Sequence, residues 1–265
     1  MSETSYGGVR VRRDDAGHVA ELLLDRPDAL NAISTAQAEA IGRATADLAA
    51  DPRVRAVVMS STTEKAFCVG ADLKERSGFS DADLWRQRPV MRRAFGGVLD
   101  LPVPVVAAVH RYALGGGFEL ALACDLIVAD ETAVFGLPEV SVGLVPGGGG
   151  TQLLVRRIGW SRAADLIFSA RRVEASEAYR LGFVDRLVPP GRALTVAMEV
   201  ATQVAANSPV GVRNAKRALR HSLGVDLAVG LEIEDAAWRA TAFSPDRREG
   251  IAAFNEKRPP VWPAE

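Results

Sequence analysis

Val103-Pro104-Val105-Val106-Ala107-Ala108-Val109, then Leu114-Gly115-Gly116-Gly117-Phe118-Glu119-Leu120-Ala121-Leu122 and Cys124, then Leu126-Ile127-Val128-Ala129: the reading of these residues decides the fold. The first run is β-branched and apolar, with prolines at its entry, and reads as a strand. Glycines 115 to 117 form a tight turn that opens an apolar helix through Cys124. The chain then returns to a strand almost at once. Short apolar strands alternating with helices point to a layered α/β fold.

Working outward, the same order recurs. Val9 to Arg13 and His18 to Leu24 read as strands, broken by Arg26-Pro27-Asp28. Ser34-Thr35-Ala36-Gln37 has capping-box spacing and opens an Ala-rich helix to about Ala50, stopped by Asp51-Pro52. Arg55 to Ser60 is a strand of the buried type, followed by a loop from Ala66 to Asp72 and a short helix capped by Asp72. Ser77 to Pro89 reads as a polar and aromatic connection before a helix from about Val90 to Leu99. Further on come a strand at Ala133 to Phe135, a loop Pro146-Gly147-Gly148-Gly149-Gly150, and a helix from about Thr151. Strand, strand, helix thus repeats three or four times, which predicts stacked ββα units. Past Pro189-Pro190 the pattern is helical throughout: Ala193 to Ala206, Pro209 to Ser222, Leu227 to Thr241 and Pro245 to Glu256. The expected division is a core over 1–190 and a helical region over 191–265. Leu227, Val229, Leu231 and Ile233 form an apolar stripe able to dock on the core or on another subunit.

The 265 residues are 48% hydrophobic and 25% charged, ordinary for one globular domain with a small appendage. A net charge of −1 provides no field to recruit nucleic acid or anionic membrane. Lysine occurs only at 65, 74, 216 and 257, so arginine carries most of the 32 basic charges. Cys68 and Cys124 sit in apolar runs and read as small hydrophobes. With three scattered histidines and no metal-ligand spacing, a protein-built transition-metal site is not expected. No signal-peptide pattern opens the chain and no apolar run reaches ~18 residues. The expectation is a cytoplasmic protein without a membrane partner.

Glu119 follows the glycine turn, and Glu139 lies in Val134-Phe135-Gly136-Leu137-Pro138-Glu139-Val140. A carboxylate among Leu, Val, Ala and Phe is disfavoured by several kcal/mol unless a partner or a task keeps it there. Glu119 alone would be a helix-start acid favoured by the macrodipole, and Glu139 alone an exposed loop acid. Together, beside turns whose N–H groups point outward, they suggest an acid/base pair next to an oxyanion hole. Phe67-Cys68-Val69-Gly70-Ala71-Asp72 supplies a second such turn. No cluster carries the following Lys of a P-loop or the G-x-G-x-x-G spacing, so nucleotide-phosphate chemistry and dinucleotide binding fit poorly.

These strings, in order, resemble the enoyl-CoA hydratase/isomerase (crotonase) superfamily: Phe67 to Lys74, Ala113 to Ala121, Cys124-Asp125, Phe135 to Glu139, Pro146 to Gln152 and Glu249 to Pro259. The resemblance implies a crotonase-type spiral of ββα units with a C-terminal helical oligomerisation region, assembled as a homotrimer or a hexamer built as a dimer of trimers. It implies an acyl-CoA thioester as substrate and needs no further cofactor. Glu119 and Glu139 match the two catalytic glutamates; the Ala71 and Gly116 N–H groups match the oxyanion hole. Arg26, Ala29 and Leu30 match the loop that wraps coenzyme A. Ala66, Phe67, Gly70, Asp72 and Leu73 match the second wrapping segment, and Pro138, Gly147 and the tail residue Lys257 complete the implied substrate contacts. Possession of both glutamates favours hydration of a trans-2-enoyl-CoA over isomerisation, in which relatives often replace one of them.

Gly70 to Arg76, Leu166 to Arg171 and Glu256 to Pro260 also resemble methylglutaconyl-CoA hydratases, whose RNA binding is attributed to a lysine-rich first helix. Here the matching helix has no lysine and only Arg43, so RNA is not expected as a partner. His110-Arg111-Tyr112 departs from the Asn-Gly-Tyr common in the family. Arg111 in place of Gly implies a changed turn, or a new charge near the acyl pocket or a subunit contact. One use for such a charge is reading a carboxylate on the substrate.

Overall fold

The computed structural model describes residues 2–263. Strands β1 (Ser2–Ser5), β2 (Val9–Arg13) and β3 (Val19–Leu24) form an antiparallel meander, and α1 (Thr35–Ala50) follows. Then come β4 (Ala56–Ser61), β5 (Ala66–Cys68), α2 (Leu73–Arg76) and α3 (Asp81–Leu99). The next turn of the spiral is β6 (Val105–Val109), β7 (Tyr112–Leu114) and α4 (Gly116–Ala123). After it come β8 (Leu126–Asp130), β9 (Val134–Gly136), α5 (Gly150–Ile158) and α6 (Trp160–Ser169). Strand β10 (Val173–Glu174), α7 (Ala175–Leu181) and β11 (Arg186–Val188) close the layered part. Helices α8 (Ala193–Ala205), α9 (Pro209–His221), α10 (Leu227–Ala242) and α11 (Pro245–Glu256) follow.

In three successive units the first strand joins one sheet and the second joins another. The seven-stranded sheet runs β1-β2-β3-β4-β6-β8-β11, parallel from β3 onward; the four-stranded sheet runs β10-β9-β7-β5. The ββα expectation is therefore met. Alternation along the strands explains why β4, β6 and β8 read as unbroken apolar runs, as strands buried on both faces do. Val57, Met59, Val105, Ala107 and Val109 face the main core, whereas Ala56, Val58, Val106, Ala108 and Val128 face Ala197, Val200 and Ala201 of α8. Phe118, Phe135 and Phe183 fill the centre of the main core, with ring centroids 5.0 to 5.3 Å apart.

One boundary is corrected. Pro89 does not precede the third helix but lies inside it, because the helix starts at Asp81. Ser80 and Asp83 form a reciprocal capping box that nucleates α3 one turn and more before the proline. The carbonyl that Pro89 leaves unpaired belongs to Trp85, whose side chain is 79% exposed, so water is at hand to meet it. At Ser34 only half of the expected box forms. Its Oγ accepts the Gln37 N–H, but the Gln37 side chain donates to the Gly8 carbonyl instead. Strands β5 and β7 went unread because three residues show no periodicity.

Helix α9 is tied to the layers by an ionic cluster. The buried Lys216 Nζ donates to Asp125 Oδ2 at 2.7 Å and to the Val103 carbonyl at 2.8 Å, and Arg220 Nη2 donates to Asp125 Oδ1 at 2.8 Å. Asp125 also accepts the Val105 N–H. Removing the acid strands a buried ammonium, so Asp125→Ala is expected to destabilise the protein by about 3 kcal/mol in urea unfolding. The double change Asp125→Ala with Lys216→Met should recover part of that loss. Of the stripe Leu227, Val229, Leu231 and Ile233, the first three do not dock on this chain's core and are at least half exposed, while Ile233 is half-buried. Among the described residues no helix is long and apolar enough to cross a membrane, and no His/Cys/Asp/Glu group is placed to hold a metal.

Candidate active site

The two glycine turns read from the sequence meet. Gly70 has φ +93°, and a Cβ there would stand 2.8 Å from the Leu114 carbonyl oxygen and 3.2 Å from the Gly116 nitrogen. Gly115 has φ +51°, and Gly117 lies so close to β5 that a Cβ would fall 2.1 Å from the Cys68 carbonyl oxygen. Only glycine allows backbone to approach backbone in this way. Gly70 and Gly116 therefore stand side by side, the first followed by Ala71 on the way into α2 and the second beginning α4.

Glu119 lies in the first turn of α4, buried. Its Oε1 accepts the Gly148 N–H at 2.7 Å and the Gly150 N–H at 2.8 Å. The loop Pro146 to Gly150 thus holds the glutamate through two of its amides. Burial pushes the Glu119 carboxyl above its ordinary range, while the loop amides and the Arg88 charge push back. Arg88, on α3, holds the loop in place by donating from Nη1 to the Gly147 carbonyl at 2.7 Å. Phe95 of the same helix packs against Gly116 and Gly148.

Glu139 is half-buried at the start of the 3-10 turn Pro138–Val142, where Pro138 supplies the fixed φ of a helix start. Gly115 N–H donates to the Gly136 carbonyl at 2.8 Å, which brings this turn onto the glycine cluster. Glu139 Oε1 would meet a Cβ on Gly115 at 2.9 Å, and its Oε2 is buried without a hydrogen-bond partner. Burial, reinforced by the charge of Glu119, lifts the Glu139 carboxyl to about 7. Two identical side chains are thus set apart by surroundings: one has the amides of the 147–150 loop to hold its charge, while the other has only its own backbone amide and one oxygen, Oε2, without a partner.

The lifted carboxyl has a consequence for stability. Unfolded, Glu139 titrates near the ordinary glutamate value of 4.5, and folded it titrates at about 7. Between these values the folded chain binds more protons, so its contribution to stability is lost as pH rises through the window. Glu139→Gln should match the parent below the window and exceed it above. The expected gain is about 1 kcal/mol at pH ~8, after allowance for solvent screening at a partly exposed group. Urea unfolding at both ends of the window checks this.

The other expected contacts fall in two groups. Arg26, Ala29 and Leu30 sit against the 66–72 segment: Arg26 Nη2 pairs with Asp72 Oδ2 at 3.1 Å, Val69 N–H donates to the Leu30 carbonyl, and Ile33 N–H donates to that of Gly70. Asn31 locks the two together, donating to Ser61 Oγ and to the Phe67 carbonyl. Ala66 and Phe67 are fully buried, and Leu73 is exposed. Lys257 is not brought into this cluster. It is an exposed left-handed cap at the end of α11, which packs on α9 and α10.

Arg111 keeps the turn that a glycine would make, at φ +51°, rather than changing it. Its N–H is held by Thr132 Oγ1, at the end of β7 away from Gly115. Strand β7 places about 10 Å between it and the glycine turn at 115–117. That position does not favour a carboxylate-reading role. Arg88 and Phe95 carried no signal in the sequence, and the glycine loop that includes Gly148 and Gly150 was visible there without its relation to Glu119, which is purely spatial.

The enoyl-CoA hydratase/isomerase family profile matches residues 14–265. The chain belongs to that family. Among curated relatives, the enoyl-CoA hydratase domain-containing protein 2 of Mus musculus is 40% identical, over 92% of this chain and 84% of that protein. The methylglutaconyl-CoA hydratase of Mus musculus is 38% identical, over 97% of this chain and 83% of that protein. The crystal structure of enoyl-CoA hydratase from Bacillus anthracis superposes with a TM-score of 0.94 at 39% identity, covering 98% of this chain and 100% of that one. The crotonase fold expected from the motifs is the fold observed.

Proposed function

We propose that this family member hydrates trans-2-enoyl-CoA thioesters reversibly to 3-hydroxyacyl-CoA. The observation that carries the reading is the pairing of Glu119, anchored through Oε1 by two amides, with Glu139, whose Oε2 is buried and unpartnered. The Ala71 and Gly116 N–H groups would receive the thioester oxygen as it gains enolate character. Glu119, better able to bear charge, would take a proton from water as the oxygen attacks Cβ. Glu139, lifted to about 7, holds a proton near neutrality and would deliver it to Cα. The wrapping loops Arg26 to Leu30 and Gly70 to Leu73 would hold coenzyme A. Lys257, outside the single-chain cluster, would reach coenzyme A phosphates across a subunit contact. The exposed stripe Leu227, Val229 and Leu231 supports such a contact, in a trimer or hexamer.

The relative named methylglutaconyl-CoA hydratase favours a carboxylated, branched enoyl-CoA as a second reading of the substrate. RNA binding is disfavoured: α1 offers only Arg43, and that guanidinium donates to the Tyr6 carbonyl. Loss of enoyl-thioester absorbance with crotonyl-CoA, a longer enoyl-CoA and methylglutaconyl-CoA tests the proposal. Absence of hydration with all three overturns it.

A further inference from the structure

Leu30 and Asn31 both adopt left-handed backbone, at φ +50° and +56°. That region is disfavoured for L-residues, whereas a glycine enters it freely. What an asparagine brings there and a glycine lacks is a carboxamide. Asn31 Oδ1 accepts the Arg26 N–H at 2.8 Å, and Nδ2 donates to Ser61 Oγ at 2.7 Å and to the Phe67 carbonyl at 3.0 Å. The residue is fully buried, so these bonds are made away from water. One side chain thus joins the loop after β3, the end of β4 and the middle of β5. The Asn31 carbonyl takes the Cys68 thiol at 3.0 Å, a second tie to the same strand.

The chain runs on from Cys68 to Ala71, and the same loop guides it. Val69 N–H donates to the Leu30 carbonyl at 3.3 Å, Ile33 N–H to the Gly70 carbonyl at 2.7 Å, and Asp72 N–H to the Ile33 carbonyl at 3.0 Å. The last two bonds flank Ala71 and make a parallel bridge between Ile33 and Ala71. The residue between two such bonds turns its own N–H to the opposite side. Among the described residues the Ala71 N–H has no acceptor, and neither does that of Gly116. Gly70, one residue earlier, abuts Gly116. The free Ala71 N–H is therefore held next to the glycine contact by a strand pairing whose anchor is Asn31.

We propose that Asn31 is a positioning residue for the oxyanion hole, fixing through its carboxamide where the Ala71 N–H lies relative to that of Gly116. This rests on the acyl-CoA reading above and adds a coupling to it. The loop that would wrap coenzyme A and the turn that would receive the thioester oxygen share one anchor. Contacts to the coenzyme thereby help to order the groups at the reacting carbonyl. Asn31 itself, being fully buried, acts through Phe67 and the chain up to Ala71.

Asn31→Gly suits the left-handed backbone and removes the carboxamide, so it isolates the role. Butyryl-CoA labelled isotopically at its carbonyl carbon cannot be hydrated, and a hydrogen bond to that carbonyl lowers its stretching frequency. Isotope-edited infrared spectra of the intact protein therefore read the oxyanion hole directly. A downshift of the bound carbonyl is expected in the parent, and most of it should be lost in Asn31→Gly. Butyryl-CoA affinity, by calorimetry, should change by less than about 5-fold, the size of one ordinary hydrogen bond. With crotonyl-CoA, kcat should fall by about 10²–10³-fold at near-parental KM, as when one oxyanion donor is lost. A loss of kcat with the downshift intact overturns the proposal. So does a raised KM at parental kcat, which would mean that Asn31 only holds the coenzyme loop, and so does a parent protein whose bound carbonyl is not shifted. If Asn31→Gly does not fold, Ser61→Ala removes one acceptor of the carboxamide. A weakened downshift with lowered kcat then supports the role, and parental values of both overturn it. If the downshift depends on Asn31 but no enoyl-CoA is hydrated, the positioning role stands and the hydratase reading falls.

Discussion

Glu119→Gln is expected to lower turnover by about 10²–10⁴-fold while acyl-CoA still binds. The carboxamide can keep its oxygen on the Gly148 and Gly150 amides, because Glu119 uses a single oxygen, Oε1, for both bonds. Folding and loop geometry should then survive, and what is lost is the ability of the other atom to accept a proton. Glu139→Gln should fall by a similar factor for the opposite reason, since the side chain that holds a proton at about 7 is replaced by one that cannot release it. Groups that act on one water and one carbon are not independent, so the double variant should lose far less than the product of the single losses. Near-native turnover in either single variant, measured with crotonyl-CoA at saturating concentration, sinks the two-glutamate mechanism. A single variant that loses acyl-CoA binding as well would mean that the carboxylate is structural.

Gly117→Ala is expected to be the most disruptive small substitution in the layered core. Its methyl would lie 2.1 Å from the Cys68 carbonyl oxygen and 2.6 Å from the carbonyl carbon, with backbone on both sides of the contact. No side chain can rotate away, so α4 must move off β5. Overpacking of this kind, with displaced backbone, should destabilise the protein by about 3 kcal/mol or more. Because Gly116 and Glu119 ride on α4, the same shift separates the Gly116 N–H from that of Ala71, and misplacement by about 1 Å can cost 10²-fold in rate. Gly42→Ala is the matching control: it lies in α1 with nothing within 4 Å of a Cβ, so it should stabilise the helix by up to about 1 kcal/mol. Urea unfolding together with turnover reads both. A Gly117→Ala protein of parental stability would show that α4 and β5 are less tightly joined than this contact implies.

Legibility in the sequence followed locality. The four C-terminal helices were readable because Pro209 and Pro245 start two of them, and Ser208, Asp226 and Ser244 cap three with side-chain oxygens. The boundary at Pro89 shows the same locality: a helix breaker stands out by itself, whereas the capping box at Ser80 and Asp83 outweighs it from farther up the chain. Glu119 and Glu139 were readable because a charge in an apolar run is anomalous on its own. Arg88 was not, since an arginine on a polar helix segment is ordinary until the loop it grips is seen.

By itself the sequence determined the ββα order, the two glycine turns and the two carboxylates beside them, because turn conformation, helix starts and apolar runs are properties of neighbouring residues. Only the tertiary structure decided that Gly70 abuts Gly116, that amides from the Gly147–Gly150 loop hold Glu119, and that Arg88 grips that loop. Periodicity shows which face of an element is buried. It does not show what lies opposite, and the chemistry of this site is made almost wholly of what lies opposite.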